Sequence, residues 1–228
     1  MEDVNDNHPV FSVDNPSINV DEGSSIGFVF YTCSATDRDT GPNSRISYSI
    51  TNSSGPFKID SKTGKMSTNG TLDYESIQSY DVFIKAEDHG EPKLFSIVKM
   101  SIGIRDENDN PPLFQNSSYL LTIKEDAPLG AYITRFLADD RDSNTNGLFF
   151  FHIDDLSPDA RLFTLSEDGT LSLGGKLDRE TKDSYTFKVV VQDKGTPFQR
   201  TSARVGLTFS LIFHLGPVRR RKTFYVNF

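Results

Sequence analysis

One cysteine, Cys33, and no tryptophan occur in this chain of 228 residues. A lone thiol cannot close an intramolecular disulfide, so the fold must rest on apolar packing. Histidine is scarce as well: His8, His89, His152 and His214 stand apart, without zinc-site spacing, and each reads as a loop or surface residue. Cations number 24 against 32 anions, a net charge of −8. That removes the basic footprint nucleic-acid binding needs. No apolar run approaches the roughly 20 residues that span a bilayer. The stretch from Val205 to Leu215, followed by RRRK, has about half that length, and its first half reads as a strand, so no direct membrane insertion is expected.

What the chain does hold is a repeated string. NDNHPVF at Asn5 to Phe11 returns as NDNPPLF at Asn108 to Phe114, each with an aspartate two places earlier, Asp3 and Asp106. Alone, such a run is an ordinary polar turn, since Asn, Asp and Pro are the common turn residues. Repetition changes that reading. An offset of 103 residues superposes Glu22 on Glu125, Asp37 on Asp140, Asp39 on Asp142 and Asn43 on Asn146. After a two-residue insertion, Asp73 falls on Asp178, Glu75 on Glu180 and Asp88 on Asp193. A period of this length exceeds a solenoid unit and suits a small domain. Two tandem domains follow, 12–105 and 115–209, joined by an acidic linker at 106–114.

Between these motifs apolar residues alternate with polar ones. Tyr80, Val82, Ile84 and Ala86, then Val98, Met100, Ile102 and Ile104, form two such rows, repeated by Tyr185, Phe187, Val189 and Val191 and by Ala203, Val205, Leu207 and Phe209. This is the period of a strand with one buried face. SKTG and SEDG punctuate shorter runs as hairpin turns. About seven strands per copy, antiparallel, predict an all-β protein: two tandem seven-stranded Greek-key immunoglobulin-like sandwiches. An odd strand number puts the termini of each sandwich at opposite poles, so the copies are expected to stack end to end. Cys33 aligns with Phe136 on an apparent second strand and reads as a buried core thiol.

With the NDN linker, DRD at Asp37–Asp39 and Asp140–Asp142, LDYE and LDRE, and DHGEP and DKGTP in order, the chain resembles a pair of extracellular cadherin repeats, of the interior protocadherin, Fat-like or Dachsous-like kind. The resemblance implies calcium as the cofactor and a ligand set around the linker. It comprises Glu22, Asp73 and Glu75; Asp106, the Glu107 carbonyl, Asn108, Asp109 and the Asn110 carbonyl; and Asp140, Asp142, the Asn146 carbonyl and Asp193. Oxygen donors of this kind suit calcium, which takes six to eight of them. Aspartates two apart in an extended segment point to one side, so each pair can grip one ion.

The resemblance also implies three ions there, set against eight carboxylates. Two carboxylates ~5 Å apart repel by roughly 3 kcal/mol at an effective dielectric near 20, so without metal the junction should flex. Residues 1–11 look like the linker of a missing preceding repeat. One further site is expected from Asn5, the Asn7 carbonyl, Asp37, Asp39, the Asn43 carbonyl and Asp88. Glu125, Asp178 and Glu180 are expected to bind weakly, because residues 210–228 depart from the repeat and read as an atypical tail. Asn144 replaces the glycine found at position 41, and asparagine tolerates the left-handed conformation that turn needs.

Calcium-dependent cell–cell adhesion follows as the expected function, with other cadherin molecules, homophilic or heterophilic, as partners at the extracellular face of the plasma membrane. The alternative is a rigid, non-adhesive spacer. An EF-hand reading of DSNTNG fails, since its twelfth position is Ile153. A hydrolase reading has no nucleophile and base to support it. The missing tryptophan sets the chain apart from cadherins that exchange a strand carrying one. Phe150 is expected to face outward, where it could anchor a partner. Three sequons, at Asn52, Asn69 and Asn116, agree with a glycoprotein. Met1 directly abuts a linker motif, which suggests a chain beginning in mid-protein with no signal peptide.

Overall fold

The computed structural model describes residues 3–52, 55–154 and 156–210. The chain divides into two compact units between Asp109 and Asn110.

In the first unit the strands are β1 (Val10–Phe11), β2 (Ser17–Asp21), β3 (Val29–Thr32), β4 (Ala35–Thr36), β5 (Ser47–Ile50), β6 (Phe57–Ile59), β7 (Lys65–Thr68), β8 (Ser79–Glu87) and β9 (Phe95–Arg105). Four of them form one sheet in the order β2-β9-β8-β5, and β3-β7-β6 form another, with β1 paired to β4. The first two of the seven expected strands are each broken. Pro16 has no N–H to give a ladder and, with Asn15 at φ 54°, divides β1 from β2. Cys33 and Ser34 interrupt β3 and β4, so Cys33 lies one residue beyond a strand rather than within it.

One pairing differs from the all-antiparallel expectation. β2 runs parallel to β9, with Asp21 opposite Arg105. Strands that alternate in direction leave the first and seventh pointing the same way, so placing them side by side makes a parallel pair. That register brings the end of β9 beside the end of β2, where Glu22 N–H donates to the Arg105 carbonyl.

The alternation read along β8 and β9 holds in three dimensions. Val82, Ile84, Ala86, Met100 and Ile102 are buried, while Asp81, Phe83 and Lys99 face outward. They close on Phe57, Met66 and Leu72 from the opposite side. Full burial of one such aliphatic or aromatic side chain contributes about 1.5–3 kcal/mol. Cys33 joins this core at 4% exposure, and burial pushes its thiol up to about 11.

The second unit repeats the plan with β10 (Leu113–Phe114), β11 (Ser118–Ile123), β12 (Tyr132–Arg135), β13 (Ala138–Asp139), β14 (Phe149–Ile153), β15 (Phe163–Leu165), β16 (Thr170–Leu173), β17 (Ser184–Asp193) and β18 (Arg200–Phe209). Its sheets are β11-β18-β17-β14 and β12-β16-β15, and β11 again runs parallel to β18. One short 3-10 turn at Pro158–Leu162 precedes β15. Phe136 takes the place of Cys33 and is fully buried, edge-on to Tyr119.

Phe149, Phe151 and Ile153 pack on the core, as their parity predicts. Phe150 lies on the other face, half-buried, with its ring 5.7 Å from that of His152. His152 corrects the reading of every histidine as loop or surface: it is a half-buried strand residue whose Nδ1 is buried without a hydrogen bond. His8 and His89 are exposed, His89 bonded to Ser47 Oγ at 2.6 Å. His214 and residues 211–228 of the tail lie outside the described residues. Among those described, no helix is long and apolar enough to cross a membrane.

Candidate metal centre

Each unit gathers acids at both ends of its sandwich. At the C-terminal end of the first unit, Glu22 follows β2, Asp73 and Glu75 lie in the segment after β7, and 106–109 continue from β9. Ligand oxygens of Glu22, Asp73 and Glu75 lie within 4.8 Å of one another. Glu22 is 6% exposed and held by two amides: Oε1 accepts from Glu107 N–H at 2.7 Å and Oε2 from Tyr74 N–H at 2.6 Å. It thereby fixes the linker to the acidic loop.

Asp73 accepts from the Ser76 hydroxyl at 2.8 Å, a bond that holds its carboxyl below the usual range. Glu75 goes the other way. Burial, then the charges of Glu22 and Asp109, push it up to about 7, and its Oε1 is buried without a hydrogen bond. Gly23 leaves the space for this arrangement, since a Cβ there would stand 2.3 Å from Glu107 Oε2. Asp106 and Asn108 are half-buried and Asp109 exposed, its N–H donating to the Glu107 carbonyl at 3.0 Å.

At the N-terminal end of the same unit, Asp39 accepts from Asn7 N–H at 3.0 Å and from Asn7 Nδ2. Burial opposes its charge, but these bonds outweigh burial and hold its carboxyl below the usual value. Asp37 Oδ1 accepts from Asp39 N–H, whereas Asp37 Oδ2 is buried with no partner. Asp88 is fully buried and accepts from Gly90 and Leu94 N–H. Asn5 Nδ2 donates to Asp88 at 3.2 Å and to the Pro92 carbonyl at 2.6 Å, and its Oδ1 is also buried and unbonded. The Asn43 side chain is engaged as well, its Nδ2 donating to Asp3 Oδ2 at 3.1 Å.

The second unit reproduces this end. Asn110 N–H and Nδ2 donate to Asp142, the latter at 2.8 Å; Asp142 N–H donates to Asp140; Asp193 accepts from Gly195 and Gln199 N–H. Asn146 N–H closes the intervening turn on the Ser143 carbonyl. Asn144 stands at φ 51° where Gly41 has 60°, as its tolerance for that conformation predicts. Another acidic triple, Glu125, Asp178 and Glu180, also lies within 4.8 Å, and all three residues are exposed.

The expected ligand set left out Asp3, whose Oδ2 also accepts from Thr40 N–H, and the amides of Gly90 and Gly195. The glycine two places after each aspartate was the available signal. The donor set is all oxygen, and Asn5 Oδ1, Asp37 Oδ2 and Glu75 Oε1 are buried oxygens lacking any bond. Such oxygens are costly unless a cation meets them, and a hard cation fits them.

The cadherin domain model matches residues 16–105 and again 119–208. The chain belongs to the cadherin family. Among cadherins it is 36% identical over 211 residues to mouse Protocadherin Fat 2, covering 90% of this chain and 5% of that protein. It is 32% identical over 219 residues to the Drosophila melanogaster Protein dachsous, covering 90% and 6%. The chain thus spans less than a tenth of these relatives. Protocadherin Gamma B2 extracellular cadherin domains 3-6 superpose with a TM-score of 0.79 at 29% identity, covering 93% of this chain and 53% of that one.

Proposed function

We propose that this chain is a calcium-stiffened segment of the extracellular part of a large cell-surface cadherin and serves calcium-dependent cell–cell adhesion. The observation that carries the proposal is the pair of acidic half-sites flanking one peptide bond. Asp109 ends the unit that holds Glu22, Asp73 and Glu75, and Asn110 begins the unit that holds Asp140, Asp142 and Asp193.

Glu22, Asp73, Glu75, Asp106, Asp109, Asp140, Asp142 and Asp193, with Asn108 and the Glu107, Asn110 and Asn146 carbonyls, would hold the ions. Asn5, Asn7, Asp37, Asp39, Asn43 and Asp88 would hold another. Bound calcium supplies positive charge that offsets the clustered carboxylates. Within the first unit, Glu22 keeps the linker in place through Glu107, and Asp88 orders the β8–β9 turn. No residue is assigned a catalytic task. Extracellular modules of this kind work at 10⁻⁴–10⁻³ M calcium, which makes the ion a standing structural part.

A calcium titration followed by small-angle scattering and thermal melting tests this. Calcium is expected to raise the melting temperature and extend the molecule, Asp109→Ala to remove most of that response, and Glu180→Ala to leave it nearly intact. Equal damage from both substitutions would contradict the junction. A spacer role keeps the calcium response but gives no bead aggregation, and Phe150→Ser then has nothing to change.

A further inference from the structure

The sequons at Asn52, Asn69 and Asn116 have no part in the reading above, and the fold treats them differently. We propose that Asn69 and Asn116 carry N-linked glycans and that the fold bars Asn52 from carrying one. The proposal rests on the extracellular placement just given.

β5 ends at Ile50, paired with Ile84 of β8, and Thr51 N–H still reaches the Phe83 carbonyl at 2.9 Å. The Asn52 side chain then continues the ladder where the backbone leaves it. Its Oδ1 accepts from Phe83 N–H at 2.9 Å and its Nδ2 donates to the Asp81 carbonyl, also at 2.9 Å. Two bonds to one strand from one carboxamide use a single edge of that group, so the hydrogen given to Asp81 is the one cis to Oδ1.

Glycosylation joins Nδ2 to C1 of the first sugar, breaks the C1–O bond to the diphosphate of a lipid-linked oligosaccharide, and releases one Nδ2 hydrogen as a proton. In the trans amide that results, the sugar occupies the position cis to Oδ1. A C–N single bond of about 1.45 Å laid along a 2.9 Å line leaves C1 roughly 1.5 Å from the Asp81 oxygen, well inside contact distance. A chain glycosylated at Asn52 before β8 is made must therefore give up both bonds to fold.

Nothing comparable restrains the other two. Asn69 is exposed after β7, its backbone N–H held by the Pro56 carbonyl, and Thr71 beside it is exposed. Asn116 is exposed between β10 and β11, and Ser118, the hydroxyl of its sequon, is exposed too. Each offers a reachable carboxamide with the hydroxyl two places on that the acceptor pattern requires.

The test is to express the full chain behind a secretion signal in cultured animal cells and to purify the secreted, cooperatively melting protein. Its glycans are then removed enzymatically in ¹⁸O water and the peptides mapped. Labelled aspartate is expected at positions 69 and 116 and unmodified asparagine at 52. Asn69→Gln and Asn116→Gln should each remove one glycan's mass, and Asn52→Gln none. Label at position 52 in folded protein, or its absence at 69 or 116, overturns the proposal. The wild-type map decides this without any variant. Because secretion is imposed, a different native location would show in the parent protein's distribution and would leave this pattern unchanged.

Discussion

At the scale of single residues, Glu75 carries a strain that metal is suited to relieve. Burial and the charges of Glu22 and Asp109 raise it from 4.5 to about 7. A carboxyl raised on folding contributes most below its unfolded value, and that contribution is lost as pH climbs through about 7 in metal-free protein. In chelator, Glu75→Gln should therefore raise the melting temperature at pH 8 and change little near pH 4.5. In excess calcium the same substitution should lower it. Matching shifts under all three conditions, followed by calorimetry, would contradict the assignment. Cys33 makes the opposite point, for burial lifts its thiol to about 11 and leaves scarcely any thiolate at neutral pH. Iodoacetamide at pH 8 should label it only after denaturant is added, as read by intact mass.

Among elements, the turn between β6 and β7 is tightly constrained. Gly64 has φ +67°, and a Cβ there would lie 2.4 Å from the Cys33 carbonyl oxygen, a backbone atom with no room to move. Gly41 has φ +60° but open space around it. Gly64→Ala should thus cost more than about 1 kcal/mol in a urea midpoint series, and Gly41→Ala clearly less. The strand rows along β8, β9, β17 and β18 were legible in sequence because parity alone sorts their faces. The parallel placement of β2 beside β9 was not, since it depends on which sheet the first strand joins, whereas the break at Pro16 had a signal in the proline itself. His152 escaped for a related reason: an isolated histidine in a strand on the outer face is covered only by what packs around it, here Phe150.

For the molecule as a whole, each unit closes its own core. One is built on Phe57, Ile84 and Met100, the other on Phe136, Phe187 and Leu207. Residues 3–109 and 110–210 expressed separately should each melt in one cooperative transition, as domains of this size do. A half that stays unfolded on its own would refute that independence. Limited proteolysis of the intact chain should cut within 105–111 in chelator and be suppressed by calcium.

The amino-acid order by itself determined the all-β class and the doubled domain, because strand parity and repeated spacing are one-dimensional properties, and its resemblance to cadherin repeats supplied the candidate ligand oxygens. Tertiary structure decided what those oxygens meet. Glu22 is held by Tyr74 and Glu107, Asp88 is sunk beneath the β8–β9 turn, and the Asn52 carboxamide is spent on β8. These outcomes depend on amides brought together from distant parts of the chain, and spacing along a sequence carries no record of which amide a carboxylate will reach.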